Sequence, residues 1–247
     1  MGAPRAIALC QSFGGVLEFQ GGQWVRAEQQ LRDAVAIYRR VKGASGESLS
    51  LQRLGVLLTA RGKLDEGLAV LAEAGFAAER ALMRSHCMTR VHASTARNRL
   101  AARDLDAAAT ALAQGLDMAS RHGNCLTCNA LLLPEAVRVR IARGDLAGAD
   151  AAATELEGLA AKFGSRAWTA MARQARGRVD AARGDRERAA TAFEDAATAF
   201  EAFASTYEAA RCRRALATTA GDPAVAEAAR GAAMRAFDAL GAAGVED

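Results

Sequence analysis

Apolar and small residues recur along this chain with the three-to-four-residue spacing of helices, and no strand survives a reading of the pattern. Short polar turns interrupt it at Gly22-Gln23-Trp24, Gly62-Lys63-Leu64, Arg103-Asp104-Leu105, Gly144-Asp145-Leu146, Gly184-Asp185-Arg186 and Gly221-Asp222-Pro223. Successive turns lie 40, 41, 41, 40 and 37 residues apart. Five residues past each turn start stands a small residue, Ala27, Gly67, Ala108, Ala149, Ala189 and Ala226, where two helices would have to approach closely. A near-constant period with a fixed small position is the signature of a solenoid, in which each repeat buries its apolar face against its neighbours.

The expected first helices lie near 4–20, 47–61, 85–102, 130–143, 166–183 and 206–219, and the second helices near 23–39, 64–80, 105–121, 146–162, 186–203 and 223–240. At each turn, glycine can take the left-handed conformation that ends the first helix, and the Asp that often follows can cap the exposed N–H groups of the second. Pro223 is suited to a first helical position. Ser205-Thr206-Tyr207-Glu208 has the spacing of a capping box opening the last pair. Pro134 would cost a straight helix roughly 3 kcal/mol. Residues 122–131 are therefore expected to be irregular or a single turn, with the straight helix starting near Leu132 or Leu133. Trp24, Tyr38, Trp168, Phe193, Phe200 and Phe203 follow helical spacing and read as packing residues.

Composition agrees with an all-α fold: alanine runs through every segment, prolines number 3, and aromatics are 5% of residues. The Met1-Gly2-Ala3-Pro4-Arg5 start is followed by an apolar stretch broken by Gln11, Ser12 and Gly14-Gly15, too short and too polar for an export signal. No apolar run approaches membrane-spanning length. The five cysteines are therefore expected in a reducing cytoplasm, where thiols stay free, bind metals or take part in redox chemistry. A formal charge of +4 is too small to imply nucleic acid.

The pattern G-[DK]-L-x-x-A followed by an Ala-rich helix resembles the tetratricopeptide (TPR) family, with a period nearer 40 than that family's usual 34. Longer repeats of this kind are similar to the sensor regions of large bacterial LuxR-type (MalT-like) transcriptional regulators. Tyr207-Glu208-Ala209-Ala210-Arg211 and Ala236-Phe237-Asp238-Ala239-Leu240-Gly241 look like what precedes the DNA-binding domain there. The resemblance implies a single repeat domain over residues 1–247, a right-handed superhelical solenoid of about six TPR-like pairs. It implies a sensing or interaction role, with a peptide, protein segment or small acidic ligand in the concave groove. The phosphate loop and helix-turn-helix of such regulators are missing from this sequence, which is expected to be a fragment or a stand-alone relative.

All three histidines and three of the five cysteines fall within His86-Cys87-Met88-Thr89-Arg90-Val91-His92 and His122-Gly123-Asn124-Cys125-Leu126-Thr127-Cys128. Cys128 lies one period, 41 residues, after Cys87. Cys87, Cys125 and Cys128 are accordingly expected to converge with His86 and His122, a ligand set for zinc or an iron–sulfur cluster. His92 lies about 120° around the helix from His86 by ideal geometry. Three readings stay open: packed reduced thiols, a metal site, or a redox pair in which Cys125 and Cys128 have dithiol spacing. Cys10 and Cys212 read as packed or incidental.

Arg97, Arg138 and Arg178 are also in register, and on first helices they could present guanidinium groups to an anionic ligand. Equally, they lie toward helix C-termini, where cations interact favourably with the helix dipole. No nucleophile elbow, HExxH or phosphate loop is present, so a binding protein is expected rather than an enzyme. The alternative to a groove-binding module is a metal- or redox-responsive sensor built on the Cys/His cluster.

Overall fold

The computed structural model describes residues 3–121, 123 and 125–243. Among the described residues every regular element is helical. The helices are α1 (Pro4–Gln20), α2 (Trp24–Arg40), α3 (Ala44–Ala60), α4 (Leu64–Glu79), α5 (Arg84–Ala101), α6 (Leu105–Arg121), α7 (Leu126–Ala142), α8 (Leu146–Phe163), α9 (Arg166–Ala182), α10 (Arg186–Glu201), α11 (Thr206–Thr219) and α12 (Pro223–Leu240). The chain forms two compact units, one reaching Cys128 and the other running from Asn129 to Ala242. In the first, α1 pairs with α2, α3 with α4 and α5 with α6, while α3 lies beside both α1 and α5. In the second, α9 pairs with α10 and α11 with α12, while α8 packs on α9 and α10 on α11.

The recurring small position sits where the helices of a pair meet. Ala27, Ala108, Ala149 and Ala189 have no exposed surface and Gly67 is buried; only Ala226, in the last helix, is partly exposed. A Cβ on Gly55 would stand 2.6 Å from Leu71 Cγ, and one on Gly67 would stand 3.2 Å from the Gly55 carbonyl oxygen. The backbones of α3 and α4 are therefore too close for a larger residue at either point.

The turns follow the expected chemistry. Gly22, Gly62, Gly144 and Gly184 have φ between +75° and +84°, and Arg103 occupies the same left-handed position at +62°. Asp104, Asp145 and Asp185 accept hydrogen bonds from the backbone N–H of Ala107, Gly148 and Arg188 at 3.1, 2.8 and 3.2 Å. The sixth turn, after the shortest period, is built differently. Ala220 is extended, Asp222 accepts from Ala224 N at 2.8 Å, and Pro223 opens α12.

Three local expectations fail. α7 begins at Leu126 and runs through Pro134. Leu132, Leu133, Ala136, Val137 and Val139 are all buried along it, and fully burying side chains of this kind is worth about 1.5–3 kcal/mol each, which outweighs the proline's roughly 3 kcal/mol. Ser205 makes no side-chain cap; Glu208 of the expected capping box pairs with Arg211 instead, at 2.9 Å. α3 starts at Ala44, three residues early. The Tyr38 ring lies against Gly43 and Gly46, where a side chain would collide with it.

Polar side chains tie neighbouring first helices together. The Ser12 and Ser50 hydroxyls are 2.7 Å apart, joining α1 to α3. Gln52 Nε2 donates to Ser94 Oγ at 2.6 Å, joining α3 to α5, and Asn98 Nδ2 donates to Thr59 Oγ1 at 3.0 Å. In the second unit, Gln174 of α9 donates to Cys212 Sγ of α11 at 3.1 Å. Buried and satisfied, such bonds fix the offset of one repeat against the next.

Candidate metal centre

His86 lies in the first turn of α5, while Cys125 immediately precedes α7 and Cys128 lies in its first turn. Because α7 starts at Leu126, the Cys-x-x-Cys segment is a helix start and not the irregular loop that Pro134 suggested. The Cys128 N–H donates to the Cys125 carbonyl at 2.9 Å, which folds the two thiols toward one side. His86 Nδ1 stands 3.1 Å from Cys128 Sγ and 3.4 Å from Cys125 Sγ. The three donor atoms all lie within 4.8 Å of one another. In a tetrahedral zinc site with bonds of about 2.0–2.3 Å, neighbouring donors stand roughly 3.3–3.8 Å apart, so little movement would be needed to close this set on an ion.

The surroundings tune each donor differently. Burial, and after it the charges of Arg90 and Arg53, lower the pKa of His86 and so favour the neutral imidazole that a metal requires. Burial pushes the Cys125 thiol up, but hydrogen bonds from Cys128 and Thr127 outweigh it and leave the pKa lowered. Cys128 has no exposed surface, and burial followed by the neighbouring Cys125 pushes its pKa up to about 12. A divalent cation between them would supply the charge that ionises both thiols.

The structure does not bring Cys87 into this group. Its side chain is fully buried against Ala78 and Ala81, with Sγ 3.9 Å from the Ser45 carbonyl oxygen. The repeat itself explains the difference. Cys128 Sγ approaches the His86 carbonyl at 3.7 Å across 42 residues, the same separation as Cys87 from Ser45. Equivalent positions make equivalent contacts, each reaching back to the preceding repeat, so they point in parallel and not at each other. His92 stands outside the group, with its pKa lowered by burial. His122 lies outside the described residues. Cys10 is exposed and Cys212 is buried beside Gln174.

The arginine column is not an open row of cations. Arg138 pairs with Glu135 one turn earlier on α7 at 2.8 Å, and both side chains are only 9% exposed. Arg97 and Arg178 are half-buried and have partners of their own. Removing one member of a buried pair strands the other's charge, so Arg138→Ala should destabilise the fold by about 3 kcal/mol. Replacing Arg138 and Glu135 together with leucine should restore most of that loss, as measured by urea unfolding.

Sequence reasoning passed over Arg90. His86, Arg90 and Ser94 are spaced i, i+4, i+8 and share one stripe of α5. That spacing was the available signal. In the second unit, a groove of about 600 Å³ between α8, α9 and α10 carries Arg173 and Arg188 among Glu187 and Asp195. Its third arginine, Arg176, is held by Asp150 and Glu157.

Solved structures share this architecture. BtubC (BKLC) from P. vanneervenii superposes with a TM-score of 0.58 at 17% identity, covering 91% of this chain and 92% of that one. The chain has a TPR-like fold. Two structures of kinesin light chain-like TPR-like repeats from Podosopora anserina superpose less closely, at TM-scores of 0.48 and 0.47. Both are 19% identical, covering 81% and 82% of this chain and 96% and 97% of theirs. No family model and no curated protein matches the sequence. No helix among the described residues is long and apolar enough to cross a membrane.

Proposed function

We propose that this TPR-like chain is a non-catalytic interaction module that carries a zinc site held by His86, Cys125 and Cys128. One observation carries the reading: an imidazole nitrogen and two thiols from separate elements meet with their donor atoms within 4.8 Å. Three protein ligands leave the fourth tetrahedral position for water, a partner's side chain or a further residue of the chain. Stacked helix pairs supply the extended surfaces on which repeat proteins engage partners, so a protein or peptide is the expected partner class. Zinc bridging α5 to the start of α7 would couple metal availability to the first unit's surface. The regulator sensor role suggested by residues 207–211 and 236–241 is compatible with such a module and is supported by those segments alone.

A dithiol switch is the second reading, favoured by the contrast between a partly exposed Cys125 and a fully buried Cys128. Elemental analysis of protein purified without a metal-affinity tag separates the two. The zinc reading expects about one zinc per chain. Zinc should be lost in Cys128→Ser and His86→Ala and kept in Cys87→Ser. A metal-free wild type that takes up no added zinc, and whose Cys125 and Cys128 form a disulfide on mild oxidation, overturns zinc in favour of the switch.

A further inference from the structure

Two arginines on neighbouring first helices, Arg53 and Arg90, are half-buried. Arg53 of α3 donates from Nη1 to Ser12 Oγ of α1 at 2.7 Å, and its guanidinium lies 4.4 Å from the Phe13 ring centroid. Ser50 Oγ donates to the Gly46 carbonyl at 2.8 Å, so the Ser12 hydroxyl donates its proton to Ser50 and is left accepting from Arg53. That network holds the Arg53 guanidinium in place and occupies only one of its five N–H donors.

Arg90 lies on the adjacent first helix, α5, which packs against α3. The Gln52–Ser94 bond fixes α3 against α5 beside residue 53, and Arg90 is one turn back from Ser94 on the same stripe. Arg90 Nε is shielded from solvent and has no hydrogen-bond partner among the described residues. Burial lowers the pKa of Arg53, and the charge of Arg90 lowers it further. Elsewhere guanidinium groups meet carboxylates: Arg32 with Glu28 and Glu66, Arg39 with Glu47 and Glu73, Arg61 with Glu28. Among the described residues, no ion pair joins an acidic group to Arg53 or Arg90. Both side chains are only half-buried, so an ion from solvent can reach them.

We propose that Arg53 and Arg90 form a binding site for a small dianionic oxyanion group, a phosphate or a dicarboxylate. Two fixed positive charges that repel each other in a partly desolvated setting are matched by one ligand carrying two negative charges. The planar guanidinium donors suit the oxygen pairs of phosphate and carboxylate. The site borders the zinc ligands, since Arg90 interacts with Cys128 and the charges of both arginines act on His86, but it does not depend on a metal being bound.

Isothermal titration calorimetry of the full chain with inorganic phosphate, succinate and acetate at low ionic strength tests it. The expected result is one-to-one binding of phosphate or succinate, with acetate at least tenfold weaker. Whichever dianion binds identifies the source of the charge. Arg53→Gln and Arg90→Gln should each weaken that binding at least tenfold, while Arg173→Gln, an exposed arginine of α9, should leave it unchanged. Circular dichroism and zinc content of each variant separate loss of the site from loss of the fold or the metal. If Arg90→Gln fails to fold, Arg53→Gln carries the test. No binding of either dianion at millimolar concentration, or binding indifferent to these substitutions, overturns the site.

Discussion

Phe193→Ala should lower the unfolding free energy by about 4 kcal/mol, at the upper end of what one side chain contributes to a helical core. Phe193 of α10 is 2% exposed and packs with Ala189, Leu216, Ala217 and Ala229, bringing α10, α11 and α12 together. Its ring also fills the space left by Gly177 of α9, where a Cβ would stand 2.9 to 3.2 Å from three ring carbons. Around it the partners are mostly alanines, whose short side chains cannot swing in to close a hole. The cavity term should therefore be felt nearly in full, as a drop of roughly 10 °C in the midpoint of thermal unfolding.

The same contact predicts a reversal of sign. Gly177→Ala in the wild-type background gains about 1 kcal/mol of helix propensity but forces the ring aside, an overpacking cost of about 1–3 kcal/mol. The net effect should be destabilising. In a Phe193→Leu background the collision is relieved, and Gly177→Ala should become neutral or stabilising. Additive effects across this double-mutant cycle would show that the two residues do not touch in solution.

Much of the architecture was legible because it depends on local chemistry that recurs along the chain, with left-handed glycines at four of the six turns and capping aspartates at four. A left-handed glycine, a capping aspartate and a small residue five positions on are each visible in the sequence, and the period ties them together. The failures share a cause: each concerns a residue whose role is set by its neighbours in space. Pro134 breaks a helix in isolation but not where five apolar neighbours along α7 are buried. Ser205 and Glu208 have capping spacing, but Arg211 is a better partner for the glutamate than a backbone N–H. Arg103 occupies a left-handed turn position that glycine fills elsewhere, because the turn before Asp104 is set by the helices it joins.

The candidate site was half legible for a related reason. Register arithmetic located the right seam, but it treated equivalence between repeats as proximity. Translation along a stack preserves direction, so Cys87 and Cys128 each face the repeat before them. What faces Cys128 is the residue one position before Cys87, and that residue is His86. Adjacent positions on a helix differ by about 100°, enough to place one side chain in the alanine-lined core and the other at the thiols. Likewise Glu135 stands three residues before Arg138, a spacing that already spoke for an ion pair over an open cation.

Zinc should also act as a thermal stabiliser of the first unit, and its size and pattern discriminate between the residues around the site. A ligand that binds only the folded state stabilises it by about 4 kcal/mol at a concentration a thousandfold above Kd, which corresponds to roughly 10 °C for a chain of this size. Saturating zinc should therefore raise the unfolding midpoint of wild type and of Cys87→Ser by similar amounts, because the Cys87 thiol faces Ser45, Ala78 and Ala81. In Cys128→Ser and His86→Ala the rise should vanish, since both donors are in the first turns of the helices that the ion would join. Acidification should remove it as well: zinc requires deprotonated thiols, and the burial that raises the Cys128 pKa without metal makes protons strong competitors. The zinc-dependent rise should therefore shrink steadily as pH falls below neutrality, in a scan of unfolding midpoint against pH with and without the ion. An equal rise in the Cys128→Ser protein would place the metal elsewhere and remove the role assigned here to the Cys-x-x-Cys turn.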